Sequence, residues 1–186
     1  FPKFEASVKA DGKKTSLAFS AVILATGMRP FKPSSLRLYR YGIFKDVITT
    51  LELERMLKEG KLVRTSNLQK PKTVAFIQCA GSRDCKANDY CSDFCCNNSV
   101  KLAQIIRKQH QNVKVSVFHI DIRTPYEGEL EFKKARSQGI RFPRGKPARI
   151  RENKDDLTIE AEDTLENDLV YHSFDLVVLS IGGIPD

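Results

Sequence analysis

Thr73–His110 has the sequence TVAFIQCAGSRDCKANDYCSDFCCNNSVKLAQIIRKQH and contains all five cysteines of the 186-residue chain. The apolar segment Thr73–Gln78 predicts a strand, and Ser92–His110 predicts a helix. In a nucleotide-binding βαβ unit, the turn between such a strand and helix carries a glycine-rich phosphate motif. Here the turn carries thiols, which are ligands of soft metal centres. The stretch therefore predicts a metal centre, and an iron–sulfur cluster is the favoured one.

Strands and helices continue to alternate after this stretch. The sequence predicts a strand at Val113–His119, a helix at about Gly128–Gln138 and a short strand at Ile140–Phe142. This β-α-β-α-β order predicts a parallel sheet with right-handed crossovers. The pattern then becomes antiparallel, with three strands predicted before a last apolar strand: Ala148–Glu152, Leu157–Ala161, Leu169–His172 and finally Asp175–Ser180. The predicted fold class is α/β, a Rossmann-like three-layer domain with a parallel sheet and an antiparallel β-meander.

The N-terminal part predicts a β-hairpin and a short helix. Phe4–Val8 and Ser16–Phe19 flank the turn residues Asp11-Gly12. A fully apolar strand is predicted at Ala21–Ala25, and a helix at Thr50–Lys58 begins with a capping box. Two segments also share one design, an apolar strand followed by a glycine and a proline: Ala21–Pro30 and Leu176–Pro185.

Composition and charge narrow the function classes. The chain has 31 basic and 23 acidic residues, a net charge of +8, which allows an acidic protein partner or a phosphorylated ligand. The sequence shows no nucleic-acid recognition motif, and no apolar run reaches the roughly 18–20 residues that span a bilayer. The cysteines lie in one cluster rather than as scattered staples, which favours a reducing, cytoplasmic location. We interpret the start at Phe1 as that of an internal piece of a longer polypeptide.

The glycine junctions resemble those of two-dinucleotide-binding-domain flavoproteins of the thioredoxin reductase type. Ala25-Thr26-Gly27 matches a first junction near the flavin, and Ser180-Ile181-Gly182 matches the second. The cysteine run narrows the resemblance to the family of the heterodisulfide reductase A subunit, which includes the A subunit of the quinone-interacting oxidoreductase complex. The segments that carry it are Phe76–Asp84, Tyr90-Cys91-Ser92, Cys95-Cys96 and His119–Arg123.

This resemblance implies a fold of the pyridine-nucleotide-disulfide oxidoreductase type and three segments with separate roles. Residues 1–70 would form part of a flavin-binding domain with a connecting segment, 71–175 an inserted nicotinamide-domain-like domain that binds a cluster, and 176–186 the return strand. Ala25, Thr26, Gly27 and Gly182 would lie near FAD. FAD is expected in the full-length parent and not in the isolated piece, which lacks the N-terminal pyrophosphate motif.

The resemblance also implies the ligands of a 4Fe–4S cluster: Cys79, Cys91, Cys95 and Cys96. Cys79 would come from the strand end and Cys91 from just outside the helix. Cys95 is about one helical turn beyond Cys91, and Cys96 is rotated by roughly 100° from Cys95, so that the pair can meet two irons. Cys85 lies outside the pattern.

The implied function is electron transfer between FAD and iron–sulfur centres, within an oxidoreductase of which this piece is not active alone. In the methanogen version of the family, a ferredoxin and a heterodisulfide-reducing partner share electrons from hydrogen or formate. The implied partners are other subunits of such a complex and hydrogenase or ferredoxin-type electron carriers.

Two alternatives remain open from the residues themselves. One is an NAD(P)-binding domain of a flavin-dependent oxidoreductase, although the turn after Gln78 offers only Gly81 and no G-x-G-x-x-G motif. The other is a zinc-stabilised interaction module, although an adjacent cysteine pair suits a zinc tetrahedron poorly. Asp121 follows a strand where an acid would bind ribose hydroxyls, but a salt-bridged strand exit is the favoured interpretation.

Overall fold

The computed structural model describes residues 3–164 and 168–185. These residues form two compact units, one with the described residues up to Arg29 together with Pro185, and the other from Pro30 to Ile184. In chain order the strands and α-helices are β1 (Phe4–Ala10), β2 (Lys13–Phe19), β3 (Met28–Pro30), β4 (Val47–Thr49), α1 (Thr50–Lys58), β5 (Thr73–Ala80), α2 (Cys95–Gln109), β6 (Lys114–Phe118), α3 (Glu127–Ser137), β7 (Pro147–Asn153), β8 (Asp156–Asp163), β9 (Asp168–Phe174), β10 (Leu176–Ile181) and β11 (Gly183–Pro185). Two short 3-10 helices, Pro33–Ser35 and Arg37–Tyr39, precede β4.

The first unit contains the predicted hairpin. Strands β1 and β2 pair antiparallel, with Phe4 opposite Phe19. Asp11 and Gly12 both have positive φ angles, 50° and 76°, as a two-residue turn between twisted strands requires. The predicted strand at Ala21–Ala25 is wrong, because this segment is irregular and its Ile23 side chain is 92% exposed. An apolar sequence forms a stable strand only when other strands pair with it.

The second unit is built on a four-stranded parallel sheet with the order β4-β10-β5-β6. The predicted strand Ile140–Phe142 is reduced to one parallel bridge, at which Arg141 lies opposite Ser116. Backbone hydrogen bonds on either side of the bridge hold this segment against β6. The predicted alternation of strands and helices is therefore confirmed, with its last strand shortened to a bridge.

The two faces of the sheet are covered by different layers. Helices α1, α2 and α3 cover one face, and the antiparallel meander β7-β8-β9 covers the other. Side chains of β5 alternate between the two: Val74 and Phe76 face the helices, and Ala75 and Ile77 face the meander. This arrangement confirms the predicted three-layer α/β fold.

The structure extends or trims several predicted elements. Helix α1 has the predicted bounds, and its capping box between Thr49 and Glu52 is present. Helix α2 begins at Cys95 rather than Ser92, which changes the position of the cysteines relative to the helix. Among the described residues, no helix is both long enough and apolar enough to cross a membrane.

A buried ion pair fixes the segment that leads from α1 to β5. The carboxylate of Asp46, next to β4, accepts hydrogen bonds from Nε and Nη2 of Arg64 at 3.0 and 2.9 Å. It also accepts from the backbone N–H and the hydroxyl of Ser66, at 2.9 and 2.6 Å. The Asp46 side chain is only 5% exposed, so this network is shielded from water.

We expect Asp46→Ala to lower the free energy of unfolding by about 3 kcal/mol, because it leaves buried donors without their acceptor. The matched control is Glu59→Ala, since Glu59 pairs with Lys61 at 3.8 Å on the open surface. That control should change stability by less than about 0.5 kcal/mol. Urea unfolding of both variants measures the difference, and equal losses would contradict a structural role for the Asp46 network.

Candidate metal centre

Strand β5 ends in two residues with left-handed backbone conformations. Cys79 has a φ angle of 55° and Gly81 one of 80°. A non-glycine residue rarely adopts such a conformation, so the bend at Cys79 is a feature that the surrounding structure enforces. The bend turns the chain out of the sheet with the Cys79 side chain still buried.

Gly81 allows a close approach between this bend and the segment before the first 3-10 helix. A Cβ atom at Gly81 would overlap the ring of Phe31. The backbone N–H of Phe31 donates in turn to the carbonyl of Gly182, at 2.9 Å. The bend after β5 and the exit of β10 are thus held next to each other through Phe31.

The loop between Gly81 and Cys91 closes on itself. The backbone N–H of Arg83 donates to the carbonyl of Tyr90 at 3.1 Å, and the side-chain amide of Asn88 donates to the carbonyl of Gly81 at 2.9 Å. The carboxylate of Asp84 accepts from Lys146 at 3.0 Å, which ties the loop to the start of the meander. These bonds bring Cys91 back to the end of the sheet from which the loop departed.

Two serines attach the far end of this loop to the exit of β10. The hydroxyls of Ser82 and Ser92 lie 3.2 Å apart, and the backbone N–H of Gly183 donates to the Ser92 hydroxyl at 3.0 Å. The Tyr90 hydroxyl donates to the carbonyl of Gly183 at 3.1 Å. A Cβ atom at Gly182 would overlap both serine hydroxyls, so only glycine fits there without displacing them. Sequence reasoning did not identify Ser82 or Ser92, since isolated serines carry no specific signal.

Helix α2 starts directly above this edge of the sheet. Its N-cap residue, Phe94, forms no side-chain cap, and Cys95 and Cys96 are its first two residues. The Cys95 thiol donates to the carbonyl of Ile181, at 3.6 Å. The first amides of a helix carry partial positive charge and attract anions. The adjacent cysteines therefore lie where a thiolate is favoured by the helix.

The structure brings together the four cysteines predicted as ligands, which we call the four-cysteine site: Cys79, Cys91, Cys95 and Cys96. Burial raises the pKa of Cys79, the charge of Arg83 lowers it, and Cys91 raises it again. Burial raises the pKa of Cys95 to about 12, with further contributions from Cys96, Cys79 and Cys91. Because Coulomb interactions weaken with distance, these mutual effects show that the four sulfurs share one region.

Cys96 is buried and belongs to the same network. Burial raises the pKa of its thiol, and a hydrogen bond from the backbone N–H of Arg123 lowers it. The thiols of Cys79 and Cys91 raise it further. Cys85, by contrast, is exposed.

An ion-pair chain borders the four-cysteine site. Arg83 pairs with Asp121, which also pairs with Arg123 at 3.5 Å. Burial opposes ionisation of Asp121, but the hydrogen bonds and charges of the two arginines lower the pKa of its carboxyl overall. Asp121 therefore forms the salt-bridged strand exit that the sequence favoured.

The donor set suits a cluster better than a single ion. All five cysteines are free thiols. Among the described residues, no three His, Cys, Asp or Glu side chains are arranged to hold one metal ion. Four thiols from a strand end, a loop and a helix N-terminus are the kind of donor set that an iron–sulfur cluster takes. The residues present therefore fit such a cluster.

The predicted flavin-side residues lie in different parts of the molecule. Ala25, Thr26 and Gly27 belong to the first unit, in its irregular, exposed segment. Gly182 belongs to the second unit, at the exit of β10 beside Ser82 and Ser92.

We expect Gly81→Ala to cost more stability than Gly60→Ala, although both glycines have positive φ angles, 80° and 70°. Gly60 has open space around its Cα, so its substitution measures only the backbone strain, about 1 kcal/mol. Gly81→Ala adds the displacement of Phe31, an overpacking cost of about 1–3 kcal/mol. Urea unfolding compares the two, and equal losses would show that Phe31 yields without cost.

We expect alkylation of the metal-free, reduced protein by iodoacetamide at pH 8 to modify Cys85 well before Cys95. Cys85 is exposed, whereas the pKa of Cys95 is raised to about 12, which leaves roughly one thiolate in ten thousand at that pH. Mass spectrometry of peptides over time measures both sites. Cys95 modification should accelerate as pH rises toward 12, and rapid modification of Cys95 at pH 8 would contradict the buried site.

Comparison with curated proteins gives several relatives along nearly the whole chain. It is 42% identical over 175 residues to the iron-sulfur A subunit 2 of CoB–CoM heterodisulfide reductase from Methanopyrus kandleri, a match covering 89% of this chain and 27% of that protein. It is 41% identical over 183 residues to the A subunit of H2:CoB-CoM heterodisulfide,ferredoxin reductase from Methanothermobacter thermautotrophicus, covering 93% of this chain and 28% of the relative. No protein-family model matches the chain.

Solved structures support the fold. Thioredoxin reductase of Lactococcus lactis superposes with a TM-score of 0.52 at 13% identity, over 96% of this chain and 49% of that one. L-lysine 6-monooxygenase of Pseudomonas syringae gives a TM-score of 0.51 at 14% identity, over 94% of this chain and 50% of that one. The chain therefore has the fold of the pyridine nucleotide-disulfide oxidoreductases and, with a length of little more than a quarter of its curated relatives, belongs to the family of the heterodisulfide reductase A subunit.

Proposed function

We propose that this chain is an electron-transfer segment of a flavoprotein like the heterodisulfide reductase A subunit, and that its four-cysteine site binds a 4Fe–4S cluster. The observation that carries the proposal is the mutual electrostatic effect of four thiols that come from three different segments. The printed name of a relative, an iron-sulfur subunit, supports the same assignment. When bound, such a cluster supplies one-electron transfer.

The protein residues would hold the cluster's charge in three ways. The amides at the start of α2 favour the negative charge of thiolates. The backbone N–H of Arg123 donates to the Cys96 sulfur, and the Arg83 guanidinium lowers the pKa of Cys79. Burial of Cys79 and Cys96 keeps water away from two of the four ligands.

Burial also explains why a metal is needed here. The pKa of each of Cys79, Cys95 and Cys96 is raised, so that these thiols remain protonated without a cation. A bound metal deprotonates a coordinating thiol outright. The site is thus suited to thiolates only when iron is present to neutralise them.

We further propose that the parent protein binds FAD, with Ala25, Thr26, Gly27 and Gly182 on the flavin side. The flavoprotein structures of the same fold support this. The assignment of 1–70, 71–175 and 176–186 to flavin-binding, cluster-binding and return segments stays a prediction. Strands β4, β10 and β5, one from each of these segments, lie in a single sheet, so the segments share one core.

The proposed partners are other subunits of a heterodisulfide reductase complex and ferredoxin-type or hydrogenase carriers. One relative is named as a reductase of CoB-CoM heterodisulfide and ferredoxin with hydrogen, and another with ferredoxin and F420H2. The net charge of +8 is compatible with an acidic electron carrier as the partner.

We expect Cys79→Ala, Cys91→Ala, Cys95→Ala and Cys96→Ala each to lose most of the iron and acid-labile sulfide that the unmodified protein binds after anaerobic reconstitution. Each change removes one of four thiolates that the cluster requires. The matched control is Cys85→Ala, which should keep its full iron and sulfide content, since Cys85 is exposed and outside the site.

Elemental analysis together with electron paramagnetic resonance of the reduced protein measures the outcome. A reconstituted protein with no iron and sulfide would refute the proposal. Zinc bound at one equivalent in place of iron and sulfide would favour the zinc-stabilised module, and loss of the cluster in Cys85→Ala would show that the ligand set is wrong.

A further inference from the structure

The buried side chain of Gln78, next to Cys79, has no visible partner. Gln78 is 1% exposed, and among the described residues neither its amide nitrogen nor its amide oxygen has a hydrogen-bond partner. Burying an amide without a partner is costly, and buried side-chain amides are normally satisfied. An unsatisfied amide at the end of β5 therefore indicates a group that belongs beside it.

The alternation of β5 places Gln78 on the side of the sheet that α2 covers. Val74 and Phe76 pack with the helices on that face, and side chains two residues apart in a strand share a face. In the register of the sheet, Ile77 pairs with Leu179 of β10, which puts Ser180 beside Gln78. The Ser180 hydroxyl contacts that of Ser99 in α2 at 2.8 Å, so this layer connects strand and helix directly.

The same layer contains the cysteines of α2. Ser99 is four residues after Cys95 and three after Cys96, spacings that put residues on one helix face. Cys96 is buried, and Cys95 donates to the carbonyl of Ile181, the residue after Ser180. Gln78 thus shares the space between the strand ends and the first turn of α2 with two of the four proposed ligands.

We propose that Gln78 donates a hydrogen bond from Nε2 to a sulfur of the cluster and thereby makes the cluster easier to reduce. This inference rests on the proposed function. One-electron reduction adds one negative charge to the cluster, and an N–H donor stabilises that charge more than it stabilises the oxidised state. No proton is transferred, because the amide keeps both its hydrogens in either state. The side chain acts as a fixed dipole in a site of low dielectric, where such a bond has a large effect.

The test compares the midpoint potentials of the reconstituted protein and its Gln78→Leu variant by a redox titration monitored by electron paramagnetic resonance. We expect the equilibrium constant for reduction to fall about tenfold, which is about 59 mV toward more negative potential for one electron. The matched control is Gln138→Leu. Gln138 also has a buried amide oxygen without a partner among the described residues, but it lies at the end of α3, away from the four-cysteine site. This control should leave the potential unchanged.

A second measurement detects the hydrogen bond directly in the unmodified protein. Glutamine labelled with 15N in its side chain should give a hyperfine coupling to the reduced cluster, and Gln78→Leu should abolish it while Gln138→Leu retains it. This spectrum decides the question even when Gln78→Leu accumulates poorly. An unaltered potential in Gln78→Leu, or no 15N coupling in a cluster-loaded protein, would overturn the inference and leave a buried water as the amide's partner.

The metal-free protein supplies a third, independent readout. Without the cluster, Gln78→Leu removes an unsatisfied buried amide, so its thermal midpoint should be equal to or above that of the unmodified protein. A lower midpoint would show that Gln78 has a structural partner within the protein and would contradict the proposal. Failure of the unmodified protein to take up iron and sulfide would refute the proposed function instead, so that the two failures are distinguishable.

Discussion

The site depends on one geometric constraint, the meeting of β5 and β10 at the same edge of a parallel sheet below the start of α2. Parallel strands bring their carboxyl ends to one side, where open α/β sheets bind their ligands. Here the edge is fixed by backbone contacts that leave no room for side chains, at Gly81 against Phe31 and at Gly182 against two serines. The loop that carries Cys91 can reach the cysteines of α2 only because both glycines permit these approaches.

The charges around this edge are balanced for an anion that contains its own cations. Buried thiols alone would stay protonated, since the pKa values of three of them are raised. The positive groups nearby are modest: the amides of one helix, one backbone N–H and an arginine partly neutralised by Asp121. They would compensate a cluster whose irons offset most of the thiolate charge, whereas four bare thiolates would need far more positive charge.

Much of the fold and the candidate ligand set could be predicted from the sequence, because both follow from local patterns. The alternation of apolar strands and helices indicated the order of elements, and the resemblance in the cysteine run pointed to the four cysteines that the structure brings together. The errors have tertiary causes. The segment Ala21–Ala25 has the composition of a strand but is irregular. The hydroxyl of Ser92, a good helix cap by sequence, instead accepts from Gly183, and Asp93 has a φ angle of 66°, so α2 starts only at Cys95.

The comparison with nucleotide-binding folds explains why thiols fit this location without a new architecture. A helix N-terminus above a strand end favours any anion that reaches it, whether pyrophosphate or a thiolate cluster. Phosphate binding needs glycines so that the backbone can approach the ligand, and this turn has instead used its glycines for contacts within the protein. The side chains of Cys79, Cys95 and Cys96 then occupy the vacated space. The substitution exchanges a ligand held by backbone for one held by side chains, and the helix serves both.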